Sequence, residues 1–139
     1  SDVCLNISYA EGFGLSTLES MMTGTPIIAA KTGGLTRQVV DHRDGSHNGV
    51  ALDITAKTLV GSQSVPYIYE DYVSNNSTAD ALLKIYRLDE KQKQKLSKKV
   101  LNYATKEFSY QKMIEMWHKS MLNTIKNFKN NQQWERRSF

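Results

Sequence analysis

The 139-residue sequence contains one cysteine, Cys4, and two prolines. A single thiol builds neither a disulfide framework nor a metal cluster, so a reducing compartment is expected. Cys4, inside the alternating stretch Val3 to Ser8, reads as a small packed hydrophobe. Long apolar runs are missing too: Pro26 to Ala30 is far too short to cross a bilayer, and no basic-then-apolar leader opens the chain. The chain therefore reads as neither secreted nor membrane-spanning, and the cytoplasm is its expected compartment. With 40% hydrophobic and 23% charged residues, disordered and fibrous classes are excluded. The length suits one domain with one core. The abrupt passage from Ser1-Asp2 into a strand pattern predicts a chain that begins inside a larger protein.

Charge is unevenly placed. Residues 1–83 hold four Lys/Arg against nine Asp/Glu, whereas residues 84–139 hold fourteen against five. A basic half of this kind suits a polyanion or the anionic cytosolic face of a membrane. Lys91, Lys93, Lys95, Lys98 and Lys99 lie in helix-like sequence, however, where a solvated face is the simpler reading, and no nucleic-acid partner is expected.

Apolar periodicity gives the elements. Val3, Leu5 and Ile7 have strand period; Ser16-Thr17-Leu18-Glu19 has the form of a capping box opening a helix with Leu15, Leu18 and Met22 on its buried face; Gly24 and Pro26 stop it. A short buried strand is expected over residues 26–30, a turn at Thr32-Gly33-Gly34, a helix from Leu35 to Val40, and a strand from Gly49 to Leu52. This succession predicts a parallel sheet in an α/β layer. Residues 59–76, with Tyr67, Tyr69 and Tyr72 around Glu70 and Asp71, fit neither period and read as a loop or insertion. Three helices follow: Ala79 to Arg87, Asp89 to about Lys106 opened by an Asp89…Gln92 cap, and Tyr110 to about Phe128 capped by Ser109. Ile114, Trp117, Met121, Ile125 and Phe128 form one apolar stripe, expected to serve packing. His42, His47 and His118 are expected on the surface and do not fit a catalytic base.

The stretch Glu11-Gly12-Phe13-Gly14 carries the chemistry. A strand that ends in a glycine turn and opens a helix gathers free N–H groups and the positive end of the helix dipole at one point, which attracts phosphate. Gly12 and Gly14 let a ligand approach the backbone. Glu11 and Glu19 would repel phosphate, so they make sense aimed past it at neutral hydroxyls, which carboxylates accept strongly. One ligand has all these parts: a nucleotide sugar. A dinucleotide reading lacks the third glycine of G-x-G-x-x-G and meets Lys31 where an acidic residue is wanted, which disfavours NAD and leaves NADP open. No Walker-type loop occurs.

The run from Glu11 to Glu19, EGFGLSTLE, followed by SMMTGTPIIA, resembles the E-x7-E signature and next strand of retaining GT-B glycosyltransferases of the large group-1 family, family four. The similarity extends through Thr32 to Leu35, Gly49 to Asp53, and Phe108-Ser109-Tyr110. It implies a Rossmann-like parallel sheet flanked by helices, the C-terminal half of a GT-B fold, ending in a helical segment. Residues 1–129 would be a partial donor-binding domain with an insertion at about 59–76, and residues 130–139 a flexible, polar, basic tail. By the same resemblance Glu11 is the residue of the catalytic centre, holding hydroxyls of the donor hexose. The amides of Phe13, Gly14 and Leu15, with the Ser16 hydroxyl, would hold the diphosphate beside Gly12, and Glu19 the ribose. The implied activity is retaining hexosyl transfer from a donor such as GDP- or UDP-hexose, with no cofactor and no metal requirement. The first GT-B domain and the cations facing the leaving diphosphate lie outside this sequence, so the chain alone is expected to be inactive. Two alternatives stand beside this: an NADP-linked oxidoreductase domain, and a non-catalytic module docking through its basic helices.

Overall fold

A computed structural model describes residues 1–130, and the first part of the chain alternates strand and helix as its periodicity requires. Strand β1 (Cys4–Asn6) leads to helix α1 (Leu15–Met22), strand β2 (Ile27–Ala30), helix α2 (Leu35–Val39) and strand β3 (Gly49–Leu52). The three strands are parallel in the order β1-β2-β3, with Cys4 opposite Ile27 and Ile27 opposite Gly49. All four side chains of β2 are buried, so a continuous apolar run replaces alternation. In β1 the period is present but its phase is reversed. Cys4 and Asn6 are half-buried, while Leu5 and Ile7 face solvent.

Residues 59–76 are not the irregular loop their composition suggests. Strand β4 (Ala56–Val60) pairs antiparallel with β5 (Ile68–Tyr72), Ala56 opposite Tyr72, in a separate two-stranded sheet. Helix α3 (Asn75–Tyr86) then starts four residues before Ala79, because Ser74 Oγ accepts hydrogen bonds from the Asn76 and Ser77 amides. Ala81 and Ile85 of α3 close a core with Ile28 and Leu52. Helix α4 (Glu90–Glu107) opens with the expected reciprocal cap: Gln92 N donates to Asp89 Oδ1 at 2.8 Å and Asp89 N to Gln92 Oε1 at 3.0 Å. Val100, Tyr103 and Ala104 of α4 are buried, and the Tyr103 hydroxyl donates to the Arg37 carbonyl at 2.6 Å. Lys91, Lys95 and Lys98 are exposed, a solvated face.

The chain divides into two compact units, residues 1–105 and a segment from Lys106 onward. The second holds α5 (Tyr110–Asn130), whose Lys112 amide donates to Ser109 Oγ at 3.1 Å, the expected cap. Its stripe from Ile114 to Phe128 is exposed to solvent. The tail expected over residues 130–139 lies, beyond Asn130, outside the described residues. Among the described residues no helix is long and apolar enough to cross a membrane.

Candidate active site

The site stands at the C-terminal edge of the parallel sheet, where the turns after β1 and β2 meet. At the end of β1, Asn6 Oδ1 accepts from the Ser8 amide and hydroxyl and turns the chain toward Glu11. The turn after β2 lies directly beneath: the Gly34 amide donates to the Glu11 carbonyl at 3.2 Å. A Cβ on Gly33 would stand 1.8 Å from that same carbonyl oxygen, so no larger residue fits while the two backbones touch.

Helix α1 begins without a side-chain cap. Its N-cap is Gly14, left-handed at φ 86° and ψ 62°. Ser16 and Glu19 lie inside the helix, not astride its start, so the expected capping box does not form. The cause is tertiary. Thr17 Oγ1 and Gln38 Nε2, both buried, donate to the Gly14 carbonyl and hold Gly14 as the N-cap, so the helix starts at Leu15, ahead of Ser16. The expected buried face shifts accordingly: Leu15 is 67% exposed, and Thr17 and Met21 go inside. First-turn amides, left without intrahelical acceptors, stand at the mouth of the turn with the helix dipole behind them.

The sequence-selected residues lie on the turn after β1 and on α1. Glu11 is half-buried; Gly12, Phe13, Leu15, Ser16 and Glu19 are exposed; Gly14 is buried. Three residues not selected from sequence complete the setting. Gln38 lies on the apolar face of α2, and a polar residue between Leu35 and Val39 was the signal that could have found it. Thr32 Oγ1 donates to Asp71 Oδ2 at 2.8 Å, and the Asp71 amide donates to the Tyr9 carbonyl at 2.7 Å, which ties the β4–β5 hairpin to both turns. The Thr32 hydroxyl, then the Lys57 ammonium 3.2 Å away, holds the Asp71 carboxyl below its usual range. Beside it the Tyr9 and Tyr72 rings lie 4.4 Å apart, and the Tyr72 hydroxyl donates to Glu70 at 2.6 Å, which raises the phenol's pKa. Such a hairpin gives no register signal in sequence, because its turn lacks an Asn-Gly or Asp-Gly pair.

Lys31 does not stand ready for a nucleotide 2′-phosphate. Its ammonium meets Asp53 Oδ1 at 2.6 Å, an exposed pair that also lowers the Asp53 pKa. His42, His47 and His118 are exposed. Partial desolvation of the ring and nearby lysines lower the His47 pKa. Among the described residues no group of three or more His, Cys, Asp or Glu is placed to hold a metal ion.

Parallel strands with a glycine turn and an uncapped helix start at their C-terminal edge define an α/β domain of the Rossmann-like class. A family model for glycosyl transferases group 1 matches residues 1–116, and the chain belongs to that family. It is 47% identical over 45 residues to a D-inositol 3-phosphate glycosyltransferase of Arthrobacter sp. (strain FB24), covering 32% of this chain and 11% of that protein. A trehalose synthase of Pyrococcus horikoshii is likewise 47% identical over 45 residues, with 32% and 11% covered. For a trehalose synthase of Thermococcus litoralis the figures are 39% over 59 residues, 42% and 14%. The aligned part thus amounts to about a tenth of these relatives' length.

Proposed function

We propose that this chain is the donor-binding part of a retaining GT-B glycosyltransferase that moves a hexosyl group from a nucleoside-diphosphate sugar, such as GDP- or UDP-hexose, to an acceptor. The observation that carries the reading is the left-handed Gly14 start of α1, which leaves first-turn amides open between Glu11 and Glu19. In this reading the amides of Phe13, Gly14 and Leu15, with the Ser16 hydroxyl, bind the diphosphate. As the glycosidic bond breaks, negative charge grows on that diphosphate, and dipoles already aimed at it need no reorganisation. Glu11 accepts hexose hydroxyls and Glu19 the ribose hydroxyls, which position the sugar. No metal or cofactor is assigned. The acceptor side and further cations belong to a first GT-B domain beyond this chain, and the work is done in the cytoplasm, at or near a membrane face.

Separate loss of the two carboxylates tests the division of labour. Glu11→Gln is expected to weaken nucleotide-sugar binding by about 1–2 kcal/mol, roughly ten- to thirty-fold, and to leave the bare nucleoside diphosphate nearly unchanged. Glu19→Ala should weaken both ligands alike. Because Glu19 is exposed and caps nothing, its loss should change stability by no more than about 0.5 kcal/mol. Calorimetric titration and urea unfolding read these outcomes. Equal weakening of both ligands by Glu11→Gln, or no effect from either change, would overturn the assignment.

A further inference from the structure

An amide can hold phosphate only if its peptide plane is held too. In a trans peptide the carbonyl and the following N–H point to opposite sides, so tethering one aims the other. Gln38 tethers two in a row: its Nε2 donates to the Phe13 carbonyl at 2.6 Å and to the Gly14 carbonyl at 3.1 Å. With those oxygens drawn inward, the N–H groups of Gly14 and Leu15 are turned away from the core, toward the mouth of the turn.

The carboxamide is itself fixed. The Gly14 carbonyl accepts from the Leu18 amide at 3.1 Å and from Gln38 Nε2, and the Thr17 hydroxyl stands within hydrogen-bond reach of both that carbonyl, at 2.7 Å, and Gln38 Oε1, at 2.6 Å. A flipped amide would set Oε1 against two carbonyl oxygens. On the far side Asn48 Nδ2 donates to the Gln38 backbone carbonyl at 2.8 Å, and Thr17, Gln38 and Asn48 are all fully buried. An apolar side chain would fill this space without the cost of burying a carboxamide, so what the amide adds is direction.

We propose that Gln38 is the positioning residue of the donor site, aiming the Gly14 and Leu15 amides at the diphosphate of a nucleotide sugar. The inference rests on the reading of the site given above. Its test is an amide-resolved NMR titration of the 139-residue chain with UDP, GDP and ADP, and with their nucleosides followed by saturation transfer. In the unmutated chain the Gly14 and Leu15 signals should move on adding the diphosphate that binds. In Gln38→Leu, and in the milder Thr17→Val, affinity for that diphosphate should fall on the order of ten-fold, with the matching nucleoside unaffected. A merely structural role would weaken diphosphate and nucleoside alike, or neither, and would overturn the proposal. Failure of the unmutated chain to bind any of the three diphosphates would instead overturn the reading of the site, and the proposal with it. Should neither variant fold, the unmutated chain still decides: the Gln38 side-chain amide protons should exchange with water far more slowly than those of exposed Gln111. Equal exchange would overturn the proposal.

Discussion

At the scale of single residues, the glycines of the site divide into those the fold requires and one it does not. Gly14 sits at positive φ, and a Cβ there would meet Leu35 Cδ2 at 2.5 Å and Thr17 Oγ1 at 2.7 Å. Gly12 has nothing within 4 Å of the same imagined atom. Gly14→Ala should therefore cost about 1–3 kcal/mol or more in urea unfolding. Gly12→Ala should leave stability within about 0.5 kcal/mol yet weaken nucleotide-sugar binding on the order of ten-fold, since only a ligand would meet the added methyl. Unchanged binding by Gly12→Ala would remove Gly12 from the ligand's path. Composition alone marked both positions as special and could not tell them apart, because the difference lies in what packs behind each.

Among the elements, the sequence was legible wherever a local pattern decides. The Asp89…Gln92 box and the Ser109 cap formed as their spacing implies. The equally well-formed Ser16…Glu19 pattern did not, because the Thr17–Gln38 pair overrides it from a distance of twenty-one residues. Local rules failed at the candidate site and held on the helices beyond it. The hairpin escaped for a related reason: its strands are only five residues long and are joined through Tyr67 at φ 66°, a backbone state no residue-type rule assigns to tyrosine.

The turn after α2 carries an acid-sensitive contact. Arg43 Nε and Nη2 donate to the two Asp41 oxygens at 2.8 and 2.6 Å, and this pairing holds the Asp41 carboxyl at about 2, against an ordinary 3.8. A depressed carboxyl adds stability above its unfolded value and loses it as pH falls through the folded one. Between pH of about 4 and about 2, urea midpoints should drop, and Asp41→Asn should flatten that part of the curve. The Arg43 guanidinium also lies 5.1 Å from the centre of the Tyr103 ring, so the same acid range should loosen α4 against this turn. An unchanged pH profile in the Asp41→Asn chain would show that other carboxylates set the acid limit.

For the whole molecule, the most consequential surface is α5. Trp117, Met121, Ile125 and Phe128 are each more than half exposed along one face, and apolar residues exposed together favour association. Sedimentation velocity of the 139-residue chain should show mass rising with concentration, and Trp117→Glu should return it to monomer. A monomer at all concentrations, with Trp117 shielded from soluble quenchers, would mean that the stripe is covered from within the chain.

The uncapped start of α1 has one more consequence, for how such a site changes over generations. A pocket made of side chains is rewritten whenever a codon changes, but one made of peptide groups is indifferent to most substitutions along it. In the proposed reading the Leu15 amide faces the ligand while its side chain projects outward, so that position should accept any residue but proline, which alone arrives without an N–H. Proline would even suit the first turn of the helix. Constraint falls instead on Gly14, whose backbone conformation sets the turn, and on Gln38, twenty-four residues away, which no ligand would touch.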